Sequence, residues 1–101
     1  MKKTELYFGL GNCQPGEFDS FVDQEITPLF PAGLTILEGR GQWKRRDSGK
    51  IEKEACAVVV LLWDGGHRGP HLALDSIREA FCARFVQEAV GRVDIDCEVS
   101  F

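Results

Sequence analysis

Leu34–Asp64 reads LTILEGRGQWKRRDSGKIEKEACAVVVLLWD, and how this stretch pairs with itself decides the fold. It is predicted to be a long β-hairpin. The near strand, Leu34 to Arg45, is apolar at Leu34, Ile36 and Leu37 and then turns polar. Asp47-Ser48-Gly49 supplies turn chemistry, because Asp and Ser bond to nearby backbone and Gly accepts positive φ. The far strand runs from about Lys50 to Trp63. Its second half, Ala57–Trp63, is apolar at every position, as expected of a strand that sits centrally or is covered on both faces. Gly39 and Gly41 flank Arg40, and glycines inside a strand mark a bulge or the close approach of another group.

The segments outside the hairpin are simpler. Before it, Leu6, Phe8 and Leu10 alternate with polar or small residues over Glu5–Leu10, the period of a half-buried strand. Glu17–Phe30 is predicted as a helix, with Phe18, Phe21, Val22, Ile26, Leu29 and Phe30 on one face. Pro28 lies late in it and is expected to bend it or end it early. After the hairpin, Asp64–Pro70 is a loop by composition. His71–Phe85 follows as a helix with the stripe Leu74, Ile77, Phe81 and Phe85. In the last strand Val93, Ile95, Cys97, Val99 and Phe101 alternate with Asp94, Asp96, Glu98 and Ser100.

The order β-α-β-β-α-β is that of the ferredoxin-like α+β sandwich. All 101 residues form one domain on this reading. Right-handed crossovers would place both helices on one face of a four-stranded antiparallel sheet, the first and third strands central and the second and fourth at its edges. The bare face would then carry Tyr7, part of the hairpin, and the acidic set Asp94, Asp96 and Glu98. A third strand apolar on both sides needs cover there, since a large exposed apolar patch is unusual on a monomer. A homodimer is the expectation. The rival is a hairpin that folds back over its own sheet.

Composition excludes several classes. The net charge of −4 argues against bulk electrostatic binding of nucleic acid. The four cysteines, Cys13, Cys56, Cys82 and Cys97, show no C-x-x-C spacing and are expected to be reduced. No apolar run approaches the roughly 20 residues of a membrane span. Met1-Lys2-Lys3 is followed by too short an apolar stretch for a secretory signal. A cytoplasmic location is expected.

ELYFG at Glu5–Gly9, ITPLFPAGLTILEGRGQW at Ile26–Trp43 and the closing RVDIDCEVSF resemble a bacterial family known as domain of unknown function 3574. The likeness spans nearly the whole chain. The segment Glu52–Ala57, EKEACA, stands where the family's R-E-P-S-K stretch would be, with Ala55, Cys56 and Ala57 in place of its Pro, Ser and Lys. The resemblance implies the ferredoxin-like fold and no particular activity.

Arg40, Gln42 and Trp43 with Tyr7 form the first site candidate, because a guanidinium, an amide and flat aromatics can hold a planar or anionic molecule. The plain alternative is an edge strand whose Trp43 packs on a partner. Lys44, Arg45, Arg46 and Lys50 make a basic hairpin tip that could take an anion, or simply protect an edge strand. Arg68 precedes a helix start and is a weaker anion candidate. His67 and His71 are four apart, but Pro70 lies between them, and no metal or other cofactor is expected. Asp94 and Asp96 share a strand face and read as solvated. The favoured function is a dimeric, non-catalytic module that binds a small anionic or aromatic, nucleotide-like ligand near the GRGQW run. The alternatives are a small enzyme of the dimeric α+β barrel type and an interaction module docking through its basic arm.

Overall fold

Alternation along the two central strands sets the layers. The computed structural model describes residues 1–101. Its elements are β1 (Lys2–Gly9), α1 (Glu17–Phe21) continued by a π-helical turn (Val22–Ile26), β2 (Thr35–Lys44), β3 (Ile51–Trp63), α2 (Gly69–Phe85) and β4 (Gly91–Asp96). The sheet order is β2-β3-β1-β4, and every neighbouring pair is antiparallel. The chain is thus the expected α+β sandwich, with the first and third strands inside. Thr4, Leu6 and Phe8 of β1 and Ala57, Val59, Leu61 and Trp63 of β3 are buried beneath the helices. Phe8 is the node of that core. Its ring centroid lies 5.3 Å from that of Phe18, 6.1 Å from Phe21 and 4.8 Å from Phe81, so one strand residue touches both helices.

The first helix is shorter than its apolar spacing predicts. It ends at Ile26, and Thr27 N–H donates to Val22 O at 2.9 Å, a bond one residue wider than the α-helical one. The physical reason is Pro28, which has no N–H to give and whose ring would strike the carbonyl one turn back. Leu29, predicted inward, is 49% exposed as a result. The second helix matches its stripe: Leu74, Ile77, Phe81 and Phe85 are all buried. Asn12 closes its C-terminal end by donating Nδ2–H to Phe85 O at 2.9 Å.

The last strand requires a correction. Asp94 and Asp96 were expected on the bare face, with Val93 and Ile95 inward. The register is the reverse: Asp94 pairs with Thr4 and Val93 with Glu5. Asp94 therefore turns to the helix side and Val93 and Ile95 to the open one. The reason is a polar chain that no apolar period reveals. Trp63 Nε1–H donates to the wholly buried Thr4 Oγ1 at 2.8 Å, and Thr4 Oγ1–H donates to Asp94 Oδ1 at 2.6 Å. Arg92 Nε–H donates to Asp94 Oδ2 at 3.1 Å and Nη1–H to Asp75 Oδ1 at 3.1 Å. Arg92 Nη2 lies 2.9 Å from His71 Nδ1, and since guanidinium only donates, that nitrogen of His71 accepts. Burial alone would raise the Asp94 carboxyl, but the Thr4 hydroxyl and the Arg92 guanidinium outweigh it and hold it below its ordinary value. Asp96 is held down by Lys2 at 2.6 Å. This chain of bonds clamps β4 to the start of α2.

Thr4→Val keeps the shape but leaves the buried Trp63 N–H unpaired and removes one of the donors to Asp94 Oδ1, which keeps Arg92. A loss of about 1–3 kcal/mol is expected, measured by urea denaturation at pH 7. Because Asp94 is depressed in the folded state, its contribution is present above the ordinary carboxylate range and is lost as pH falls through its folded value. The gap between wild type and variant is therefore expected to narrow in acid.

Candidate functional surfaces

Two surfaces stand apart from the core. The first is a projecting arm. β1 runs out at the Gly9–Cys56 pair, but β2 and β3 go on pairing from Gly39–Cys56 to Lys44–Ile51. Beyond Cys56 the hairpin is a ribbon of two strands. It is rooted by Leu10 N–H to Ala55 O at 2.9 Å and by Gly11 N–H to Glu54 Oε2 at 3.0 Å. A Cβ at Gly9 or Gly11 would meet the Glu54 carboxylate and displace it from this contact. At the tip Gly49 adopts φ 70°, where a side chain would be strained.

The four residues of the first candidate site do not converge. Successive strand residues face opposite sides. Gly39, Gly41 and Trp43 fall on the open face of the sheet, and Arg40 and Gln42 on the helix side. Tyr7 shares the open face with Trp43, yet Tyr7 pairs with Val58 and Trp43 with Glu52. Six residues of β3 separate those levels, about 20 Å of strand. Arg40 and Gln42 instead meet their cross-strand neighbours Ala55 and Lys53 in a shallow groove of about 690 Å³, lined also by Gly41 and Glu54. Trp43 lines a different hollow, of about 640 Å³, between the arm tip and Glu88-Ala89.

The weaker anion candidates also separate. Arg45 is committed to carboxylates within the tip. Its Nε–H and Nη2–H donate to Asp47 at 3.0 and 2.9 Å, and Nη1 lies 3.5 Å from Glu52. Arg46 is exposed beside it. Arg68 sits past the other end of the 13-residue β3, about 40 Å of strand away. His67 lies 3.6 Å from Asp64 and His71 turns to Arg92, so the two imidazoles serve different partners.

The second surface is the open sheet face, and neither a helix nor the arm covers it. Leu37, Val93 and Ile95 are 54%, 42% and 41% exposed. Val58, Val60 and Leu62 of β3 lie between them in register, and the molecule is drawn out to 44 Å along its longest axis. Apolar columns on β3 and β4 flank a polar one on β1. There Lys3 Nζ lies 3.6 Å from Glu5 Oε2, and Tyr7 Oη–H donates to Glu5 Oε1 at 2.9 Å. That hydrogen bond to a carboxylate raises the Tyr7 phenol above its usual value. Glu5 and Lys3 are sequence features without an apolar or glycine signature, and sequence reasoning passed over both. So did the inversion of β4, which adds Val93 and Ile95 to this face.

The tip pairing has a measurable signature. The Arg45 guanidinium holds the Asp47 carboxyl down to about 2. A depressed folded value means that the contact steadies the turn above the ordinary carboxylate range and is lost as pH falls toward 2. An NMR titration of the Asp47 side chain is expected to show that low midpoint, and Arg45→Ala to return it to about 3.9. An unchanged midpoint in the variant would mean that the fork is not formed in solution.

Comparison with known proteins bears on the fold and the family. The structure of a phage SAM lyase in complex with S-methyl-5'-thioadenosine is similar at a TM-score of 0.71 and 13% identity, covering 94% of this chain and 80% of that one. The same enzyme type in its apo state gives 0.62 and 13% over 99% and 92%. A mutant of CutA1 from Pyrococcus horikoshii OT3 gives 0.53 and 16% over 98% and 87%. At such identities the likeness establishes the shared fold alone. No curated protein matches the chain. No helix is long and apolar enough to cross a membrane. The family model described as "Protein of unknown function (DUF3574)" matches residues 3–101, and the chain therefore belongs to that family.

Proposed function

We propose that the protein is a self-associating, non-catalytic binding module. Its copies cover one another's open sheet face, and its arm presents Arg40 and Gln42 to a small anionic, nucleotide-like ligand. The observation that carries the self-association is the uncovered apolar face of Leu37, Val58, Val60, Leu62, Val93 and Ile95. Burying apolar surface yields roughly 25 cal/mol per Å², and a flat face of this kind is the sort that a second subunit closes. The arm supports the ligand half of the reading. Arg40, Gln42 and Lys53 give a fork, an amide and an ammonium on one side of the ribbon. Arg is suited to planar, bidentate recognition of phosphate or carboxylate. The nucleoside in the similar phage enzyme structure is consistent with this class of ligand, but the reading rests on the arm's own groups.

Sedimentation of the wild-type protein at tens of micromolar is expected to give a dimer. Val60→Lys, which sets a cation beside the cross-strand Glu5, is expected to stay folded by circular dichroism and to run as a monomer. A monomeric wild type would end the self-association reading. For the ligand, AMP serves as the calorimetric probe. Loss of one charge-assisted bond in Arg40→Ala is worth about 1.5–3 kcal/mol, so binding is expected to weaken about 10- to 150-fold. Equal affinity in wild type and variant, or no heat from either, would remove the arm as the site.

A further inference from the structure

The open face carries a pattern that specifies how its partner sits. Three rows of side chains cross it, each read from the strand register. The first is Leu37, Val58 and Tyr7. The second is Thr35, Val60, Glu5 and Val93. The third is Leu62, Lys3 and Ile95. In the second and third rows the β3 and β4 positions are apolar, and the β1 position is charged, with opposite sign in the two rows. Glu5 is the more sheltered of the pair, with its side chain 21% exposed against 39% for Lys3.

We propose that the partner on this face is a second copy whose β1 lies antiparallel across the first. The two-fold axis then runs parallel to the sheets, perpendicular to the strands, at the level of Thr4. The proposal rests on the self-association reading above and adds to it the orientation and the residues that set it. Such an axis exchanges the second and third rows. Val60 then meets the partner's Leu62, Val93 meets the partner's Ile95, and Glu5 meets the partner's Lys3, each contact occurring twice, as an isologous interface requires. The two carboxylates and two ammonium groups alternate in sign around the axis. Other seatings are worse by the same electrostatics. An axis running along β1 stacks Lys3 on Lys3 and Glu5 on Glu5. A sideways shift by one strand sets Glu5 against valine, where a carboxylate loses water and gains no partner.

The size of the face comes near that of a standard interface. Four strands at about 4.8 Å and eight residues at about 3.3 Å give a footprint of about 19 by 26 Å. That is about 500 Å² in projection, before side-chain relief is counted, against the about 800 Å² of accessible surface that each partner gives to a standard interface. Met1, Leu34 and Phe101, gathered with Val60 and Leu62 around an apolar hollow of about 420 Å³ at one end, extend the apolar surface beyond the three rows.

Charge exchange between separate variants tests the arrangement. Lys3→Glu alone places four carboxylates around the axis, and Glu5→Lys alone places four ammonium groups there. Each variant is expected to show dimer affinity reduced at least about tenfold by sedimentation equilibrium. An equimolar mixture, with one variant uniformly labelled with ¹⁵N, is expected to form the mixed dimer almost exclusively in native mass spectrometry. The double exchange Lys3→Glu with Glu5→Lys keeps opposite charges within the chain and across the axis, and is expected to dimerise as wild type does. Recovery in the mixture also shows that the single variants are folded. A dimeric wild type whose single variants dimerise equally well, or mix statistically, overturns this orientation and leaves self-association through another seating. A monomeric wild type, or a closed trimer, overturns it as well, the monomer taking the broader reading with it.

Discussion

The fold depends on the packing of Phe8. It stands on a central strand and is wholly buried, and its ring reaches Phe18 and Phe21 on the first helix and Phe81 on the second. Edge-on and tilted aromatic contacts of this kind have a preferred geometry as well as a large buried area. They fix both helices against the same side of the sheet at one point. Once Phe8 faces the helices, period two sends Leu6 and Thr4 the same way. The antiparallel register then takes Ala57, Val59 and Leu61 with them.

The same constraint creates the surface on which the functional reading turns. Residues not sent inward must go outward, and on β3 these are Val58, Val60 and Leu62. An edge strand could have covered this side with charge, as antiparallel sheets with one wet face usually do. β4 does the opposite, because Asp94 is needed on the helix side to accept from Thr4. Thr4 is buried and must donate as well as accept, and Asp94 is the acceptor that lets it serve Trp63. Satisfying one buried hydroxyl thus exposes Val93 and Ile95. The apolar open face follows from a polar requirement beneath it.

The arm obeys a different balance. Past Gly9 the hairpin has no third strand, and an isolated two-stranded ribbon is marginal in water. What steadies it is local: the Glu54 contact to Gly11 at the root and the Arg45 fork on Asp47 at the tip. Those contacts consume Arg45 and leave Arg40, Gln42 and Lys53 as the groups on the helix side of the ribbon that face a groove. The family membership carries no chemistry of its own, so the functional weight rests on these two surfaces.

By itself the sequence determined the order of the elements, the central place of the first and third strands, the long hairpin and the inward stripe of the second helix. Each of these is written in a local period or in a turn residue, and needs no knowledge of distant parts. The separation of Arg40 and Gln42 from Trp43 follows from strand alternation, since 40, 42 and 43 cannot share one strand face, but grouping them with Tyr7 as one site overlooked it. Early termination at Pro28 was half legible: the proline was visible, but the widened turn that ends the helix at Ile26 was not. Only the tertiary structure decided which face β4 presents. Its alternation is equally clean in either sense, and the choice belongs to Thr4, Trp63, His71 and Arg92, which lie far apart along the chain and meet only when the strands pair.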